Sequence, residues 1–256
     1  MRRLIFFYFF VFTLSLSGLP NRFVSLSPIM TEVLAELVPT SHIVGVSSAC
    51  NFPPFAVQLP KIAHFNRIQI EQIAQINPTH ILGIGISSSL DLSALQSSQT
   101  KIYRYPLPAS VSDIFTLIKM IGSDIDQPTS ADQLITSLKT KLTAISGTMT
   151  DQPNVLVIVS SSPLIMANQS TYIADLIHYA GAKLISINSR HPYPKINPEL
   201  ILSLNPDLIL VSPGIRLSHY SYLSHIPTRS INPDLVYRSG PRFIDAIHHL
   251  KQVIHP

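Results

Sequence analysis

The sequence predicts an α/β protein of two Rossmann-like lobes, each built on a mainly parallel sheet, joined by one long helix. Three observations predict it. Short apolar strands alternate with amphipathic helices, the pattern of parallel sheets with helices on their faces. A single uninterrupted helical stretch lies near the middle of the 256 residues. One unit also occurs twice: "FNRIQIEQIAQINPTHIL" from Phe65 and "YPKINPELILSLNPDLIL" from Tyr193. Each copy has an aromatic residue, a glutamate, an apolar helical stretch, Asn-Pro and an apolar strand. Glu71 and Glu199 are 128 residues apart, as are Asn77 and Asn205.

The chain starts with "MRRLIFFYFFVFTLSLSG", a basic pair, an apolar run and small residues. This predicts a cleaved signal peptide over residues 1–18. The apolar run is shorter than the roughly 18 or more residues of a spanning helix. No cysteine ends it, so a soluble exported protein is expected rather than a lipid-anchored one. "RFVSLS" reads as the first strand of an N-terminal lobe, residues 19–127. "PIMTEVLAELV" is a helix opened by Pro28, and "HIVGVS" a strand. "IEQIAQI" is a short helix stopped by Asn77-Pro78, and "HILGIG" and "KIYRYP" are strands.

The linking helix is expected over 128–149, capped by Ser130, with Leu134, Ile135, Leu138, Leu142 and Ile145 at helical spacing. A stiff helix, unlike a Gly/Ser linker, makes two lobes face each other across a cleft with limited hinge motion. In the C-terminal lobe, residues 150–256, "NVLVIVS" is a strand and "TYIADLIHYAG" a helix ended by Gly181. "KLISIN" is a strand, "PELILSL" a helix and "DLILVS" a strand. "RFIDAIHHLKQVI" closes the chain as an amphipathic helix.

Composition narrows the function. Charged residues are 12% and hydrophobic residues 46%, enough for a core. Without Arg2 and Arg3 the balance is 16 basic against 14 acidic residues, so no basic face for nucleic acid is expected. One cysteine, Cys50, excludes an intrachain disulfide and a multi-cysteine zinc site. It reads as a small, partly buried thiol. "GIGISSS" lacks the third glycine of a dinucleotide fingerprint. There is no G-x-S-x-G elbow and no H-E-x-x-H. His248 and His249 are adjacent on a helix and face different ways, so they read as a solvated face. No enzyme is expected.

The repeat points to capture. Its aromatics lie on strand-to-helix loops at the sheet rim, where open α/β sheets bind ligands. Phe65 and Tyr193 therefore present rings near the cleft. Glu71 and Glu199 stand in the first turns of their helices, where the dipole favours a carboxylate. They are either helix-start charges or a matched pair of acids, one per lobe, docking a two-fold basic partner.

At these residues the chain resembles the periplasmic vitamin B12-binding proteins, within the helical-backbone (class III) substrate-binding proteins of ABC transporters. The matching stretches are "RFVSLSPIMTEVLAEL", "IVGVSSACNFPP", "HFNRIQIEQIAQINPTHIL", "HPYPKINPELILSLNPDLIL" and "YRSGPRFIDAI". The resemblance implies that Glu71 and Glu199 engage arginines of an inner-membrane permease dimer, which works with an ATPase. It implies that Phe65 and Tyr193 line a corrinoid cleft, with Phe52, Pro53 and Pro54 at its rim and Asp234 and Arg238 as a polar pair near the ligand. The loop holding Pro163 to Met166 should face the cleft too. It implies a periplasmic monomer, cobalamin as transported ligand and no cofactor. The family commonly has tryptophan at both aromatic positions, and this chain has none. Smaller rings bury less surface, which at roughly 25 cal/mol per Å² costs about 1 kcal/mol or more of affinity. Two other cargoes stay open. Haem could be held by His64 or Tyr193, and a ferric siderophore could be met by Arg67, Lys195, Arg238 and Arg242.

Overall fold

The computed structural model describes residues 20–64, 67–85, 92–95, 99–145 and 152–256. The expected signal peptide lies outside them, as do Phe65 and the end of the expected linking helix. Among the described residues no helix is long and apolar enough to cross a membrane.

The first sheet has six strands: β1 (Phe23–Ser25), β2 (Ile43–Ser47), β3 (Lys61–His64), β4 (Arg67–Ile68), β5 (His80–Ile84) and β6 (Lys101–Tyr105). Their spatial order is β4-β3-β2-β1-β5-β6. All neighbours are parallel except the β3–β4 hairpin at the edge. β1 and β5 are buried along their whole length, as central parallel strands covered on both faces are. The second sheet joins β7 (Asn154–Ser161), β8 (Leu164–Met166), β9 (Lys183–Leu184), β10 (Leu208–Val211) and β11 (Thr228–Ser230). β10 and β9 run parallel to β7, and β8 runs antiparallel to it.

Helices cover the sheets. α1 (Pro28–Leu37) starts where the Ser27 hydroxyl accepts from Met30 N and Pro28 occupies the first turn. The short α2 (Ile70–Gln75) precedes β5. α3 (Val111–Asp124) and α4 (Pro128–Ile145) form a helical hairpin turned at Asp126, whose φ is 59°. α5 (Tyr172–Tyr179), α6 (Pro198–Leu204), α7 (Pro233–Val236) and α8 (Phe243–Ile254) belong to the second half.

The fold class is the one expected, with several differences in detail. α4 begins at Pro128, so Ser130 is its third residue rather than its cap, and the Ser130 hydroxyl donates to Gln127 at 3.3 Å. "KLISIN" keeps only two strand residues, Lys183–Leu184, because β7 offers partners only at Asn154 and Val155. Cys50 is fully rather than partly buried, with its sulfur 3.1 Å from Thr31 Oγ1. His249 is not a solvated residue: its Nε2 accepts the Asn232 backbone N–H at 2.9 Å.

The core has three parts. One apolar cluster fills the outer side of the first sheet around Ile62, Ile73 and Ile81. Another fills the second lobe around Ile158, Ile201 and Ile209. The third runs through both lobes, from Phe23, Val33 and Ile118 to Leu176, Leu210 and Phe243. The lobes are thus joined by packed side chains as well as by α4.

Candidate functional site

The repeat is a structural frame. In each copy a short helix ends at an asparagine in the left-handed region, Asn77 at φ 52° and Asn205 at φ 46°. Asparagine tolerates that conformation better than most residues, and the proline after it cannot continue a helix. The chain then enters β5 at His80 or β10 at Leu208, and these two positions are again 128 residues apart. Ile73 and Ile201 anchor the two helices as fully buried side chains.

The frame puts Glu71 second in α2 and Glu199 second in α6, both exposed. The helix starts differ. Asn197 caps α6 by accepting from Leu200 N at 2.9 Å. Gln69 makes no such cap on α2, and its Oε1 is buried without a hydrogen-bond partner. Glu71 borders an open cavity of about 670 Å³, shared with His64, Arg67, Ile68, Gln69 and Gln72. His64 ends β3 and is exposed.

Tyr193 lies on an extended segment pinned beside β8. Asn168 N donates to Pro192 O, Met166 N to Pro194 O, and Ile196 N to Leu164 O, all within 3.2 Å. Alternate residues of such a segment face opposite ways, so Pro194 is buried while Tyr193 and Lys195 face out. Tyr193 is 45% exposed. Partial burial raises its phenol pKa, and Tyr237 nearby adds to the shift. Tyr237 is raised by burial as well, and its hydroxyl accepts from Ser212 at 2.8 Å. Both phenols are therefore neutral at ordinary pH. Tyr237 opens the stretch "YRSGPRFIDAI", but the sequence reading gives it no role, because it lies outside the repeat and its partner Ser212 is distant in sequence. The segment of Pro163 to Met166 forms β8 and its approach, with Leu164 and Met166 buried and Ile165 bridged to Lys195.

Asp234 and Arg238 form an ion pair at 2.6 Å, one turn apart. They belong to a larger network at the lobe junction. Asn51 donates to Asp234 at 2.7 Å and accepts from Arg238 at 2.7 Å. Arg238 also donates to Ala49 O. Arg242 donates to Glu32 Oε1 at 2.7 Å, and Arg238 stands 3.6 Å from the same oxygen. Glu32, on α1, is almost fully buried. Sequence reasoning missed it, because an acid inside "PIMTEVLAELV" reads as an exposed helix position. Of the four cations available to an anionic cargo, Arg238 and Arg242 are thus engaged by carboxylates. Arg67 and Lys195 are exposed, one on each lobe.

The Phe52 ring stacks on the Arg242 guanidinium, 4.0 Å from ring centroid to Cζ. It shares a cavity of about 190 Å³ with Leu134, Leu138 and Lys141 of α4. Its ring is thus turned to the linking-helix side of the junction. Pro53 follows it across a cis peptide bond, and Pro54 opens a short 3-10 turn.

The sequence pattern of the periplasmic binding protein family matches residues 23–236. Among characterised relatives, the chain is 26% identical over 250 residues to a vitamin B12-binding protein of Photorhabdus laumondii, covering 94% of this chain and 90% of that one. It is also 26% identical over 255 residues to YvrC of Bacillus subtilis, an ABC transporter substrate-binding lipoprotein that is itself uncharacterised, covering 93% and 81%. Among solved structures, the haem-binding protein HutB of Vibrio cholerae superposes with a TM-score of 0.80 at 18% identity, covering 92% and 99%. The vitamin B12-binding protein BtuF of Vibrio cholerae gives 0.68 at 21%, covering 91% and 95%. At these identities the superpositions speak for the fold.

Proposed function

The chain belongs to the periplasmic binding protein family, and from that premise we propose that it is the substrate-binding component of an ABC importer for cobalamin or a related corrinoid. The observation that carries the reading is the pair of exposed carboxylates, Glu71 and Glu199, set at the same position of a duplicated frame, one per lobe. Ligand capture is assigned to the rim between them: Phe65 and Tyr193 on opposite lobes, with Pro53, Pro54 and the Asp234/Arg238 pair at its margin and Phe52 behind it, its ring stacked on Arg242. The relatives named vitamin B12-binding proteins, matched over most of both chains, support the choice of cargo.

The mechanism is capture and delivery without chemistry on the ligand. The exported monomer closes on a corrinoid in the periplasm. Its two carboxylates then dock on arginines of the permease dimer, whose ATPase drives release. A second reading, haem, is favoured by one feature of the site: Tyr193 offers an exposed phenol that ferric iron can ligate.

The test is an absorbance and calorimetric titration of the purified protein with cyanocobalamin, haemin and a ferric siderophore. Saturable one-to-one binding of cyanocobalamin is expected. A Soret shift with haemin, lost in Tyr193→Phe, together with silence towards cyanocobalamin, reassigns the cargo to haem.

A further inference from the structure

The duplicated frame allows the surroundings of the two carboxylates to be compared position by position. Residues three apart on a helix share a face, so Leu202 lies beside Glu199 and its counterpart Ala74 lies beside Glu71. Leu202 is 39% exposed. Tyr222 adds to it. The ring is 42% exposed, and its hydroxyl donates to Glu199 Oε1 at 3.4 Å. It also packs against Tyr220, with ring centroids 6.2 Å apart. Tyr220 in turn lines an open groove of about 550 Å³, where Leu217, Leu223, Ile226 and Pro227 alternate with three serines and Thr228. Carboxylate, tyrosine, tyrosine and groove thus form one continuous surface. Among the described residues, the cavity beside Glu71 is lined by His64, Arg67, Ile68, Gln69 and Gln72.

Exposed apolar side chains such as Leu202 and Tyr222, set beside a carboxylate, suit an interaction site, and tyrosine is enriched where interfaces gain their affinity. A lone surface carboxylate, by contrast, contributes more to orientation and on-rate than to affinity.

Resting on the docking reading above, we propose that the two lobes dock unequally: Glu199, Leu202, Tyr222 and Tyr220 form the main anchor for the permease. The anchor takes a cationic side chain flanked by an apolar or aromatic one. Charge complementarity selects the cation at Glu199, and the continuous tyrosine surface selects its apolar neighbour. Glu71 acts mainly as a steering charge. A permease dimer that offers the same loop to both lobes is then held firmly by one and loosely by the other.

The experiment measures docking of the ligand-loaded full chain on its cognate permease–ATPase complex in lipid nanodiscs, by surface plasmon resonance. Glu71→Ala, Glu199→Ala, Tyr222→Ala, Tyr222→Phe and Leu202→Asp are compared with the native chain. Thermal melting and ligand affinity serve as controls for folding. Tyr222→Ala and Leu202→Asp are each expected to weaken docking about tenfold or more, mostly through faster dissociation. Tyr222→Phe, which keeps the ring, is expected to cost less. Glu199→Ala should cost more than Glu71→Ala, whose effect falls on the association rate. Native docking by both Tyr222→Ala and Leu202→Asp overturns the inference, as does an equal loss from the two glutamate variants. If neither glutamate variant weakens docking, the docking reading itself fails and the inference falls with it. A dimer of this chain, seen by sedimentation and dissolved by Leu202→Asp, assigns the patch to a second copy and overturns the inference as well.

Discussion

Single side chains concentrate charge where the lobes meet. Glu32 is buried on α1 and faces two arginines from the other half of the chain, with its Oε1 2.7 Å from Arg242 and 3.6 Å from Arg238. Removing one partner of a buried pair leaves an uncompensated charge and costs roughly 3–5 kcal/mol. Glu32→Ala is therefore expected to lower unfolding free energy by about that much in a denaturant titration. A loss under about 1 kcal/mol places the pair among the weak surface ones. His249 acts through its protonation state. Its Nε2 accepts a backbone N–H, which requires the neutral ring, and burial lowers its pKa below 6.5. A lowered folded pKa gives stability that is present above about 6.5 and is lost as pH falls through the folded value. His80 is also lowered, first by burial and then by Lys101. His249→Gln keeps an acceptor but cannot titrate. It should lose less stability than the native chain between about pH 7.5 and about pH 5.5. Identical losses in the two proteins remove His249 from the acid response. The rim was partly legible at this scale. Glu71, Tyr193 and Glu199 stand out in a repeat, whereas Glu32 and Tyr237 acquire meaning only from partners far along the chain.

Elements differ in how much of their cause is local. α1, α4, α8 and the repeat helices announce themselves by apolar spacing, caps and prolines, and the central strands by runs such as "NVLVIVS". α3 was legible and is missing from the sequence expectation. Ser110 accepts from Asp113 N, and Val111, Ile114, Leu117, Ile118 and Ile121 repeat at helical spacing as buried residues. β3, β4, β8 and β11 have four residues or fewer, too short for any period, so their partner strands define them. The α3–α4 hairpin gives a test. A Cβ at Gly122 would lie 2.4 Å from the Ala131 Cβ and 3.0 Å from Gln127 O. Alanine gains about 1 kcal/mol of helix propensity over glycine, but overpacking a close helix contact costs about 1–3 kcal/mol. Gly122→Ala should therefore lower the melting temperature, and adding Ala131→Gly should recover part of it. A more stable Gly122→Ala means the helices separate freely.

Across the whole molecule, the question is whether two sheets make two independent units. Domains joined by modest polar interfaces move and unfold separately. Here one apolar cluster passes from β1, α1 and α3 into α5, β10 and α8. Polar ties cross the same boundary. Asp175 of α5 accepts the Val111 backbone N–H at 2.7 Å, so the second lobe caps the first turn of α3. Lys251 of α8 donates to the carbonyl of Ile145 at the end of α4. These ties oppose a wide hinge between the lobes. They also couple the stability of the lobes. Scanning calorimetry of the unliganded protein should therefore show one transition, with calorimetric and van't Hoff enthalpies in agreement. Asp175→Ala should lower that single transition without splitting it, because the apolar cluster remains. Two resolved transitions in the native chain mean that the shared cluster does not bind the lobes into one cooperative unit. The lobes would then be free to rotate as separate bodies about α4.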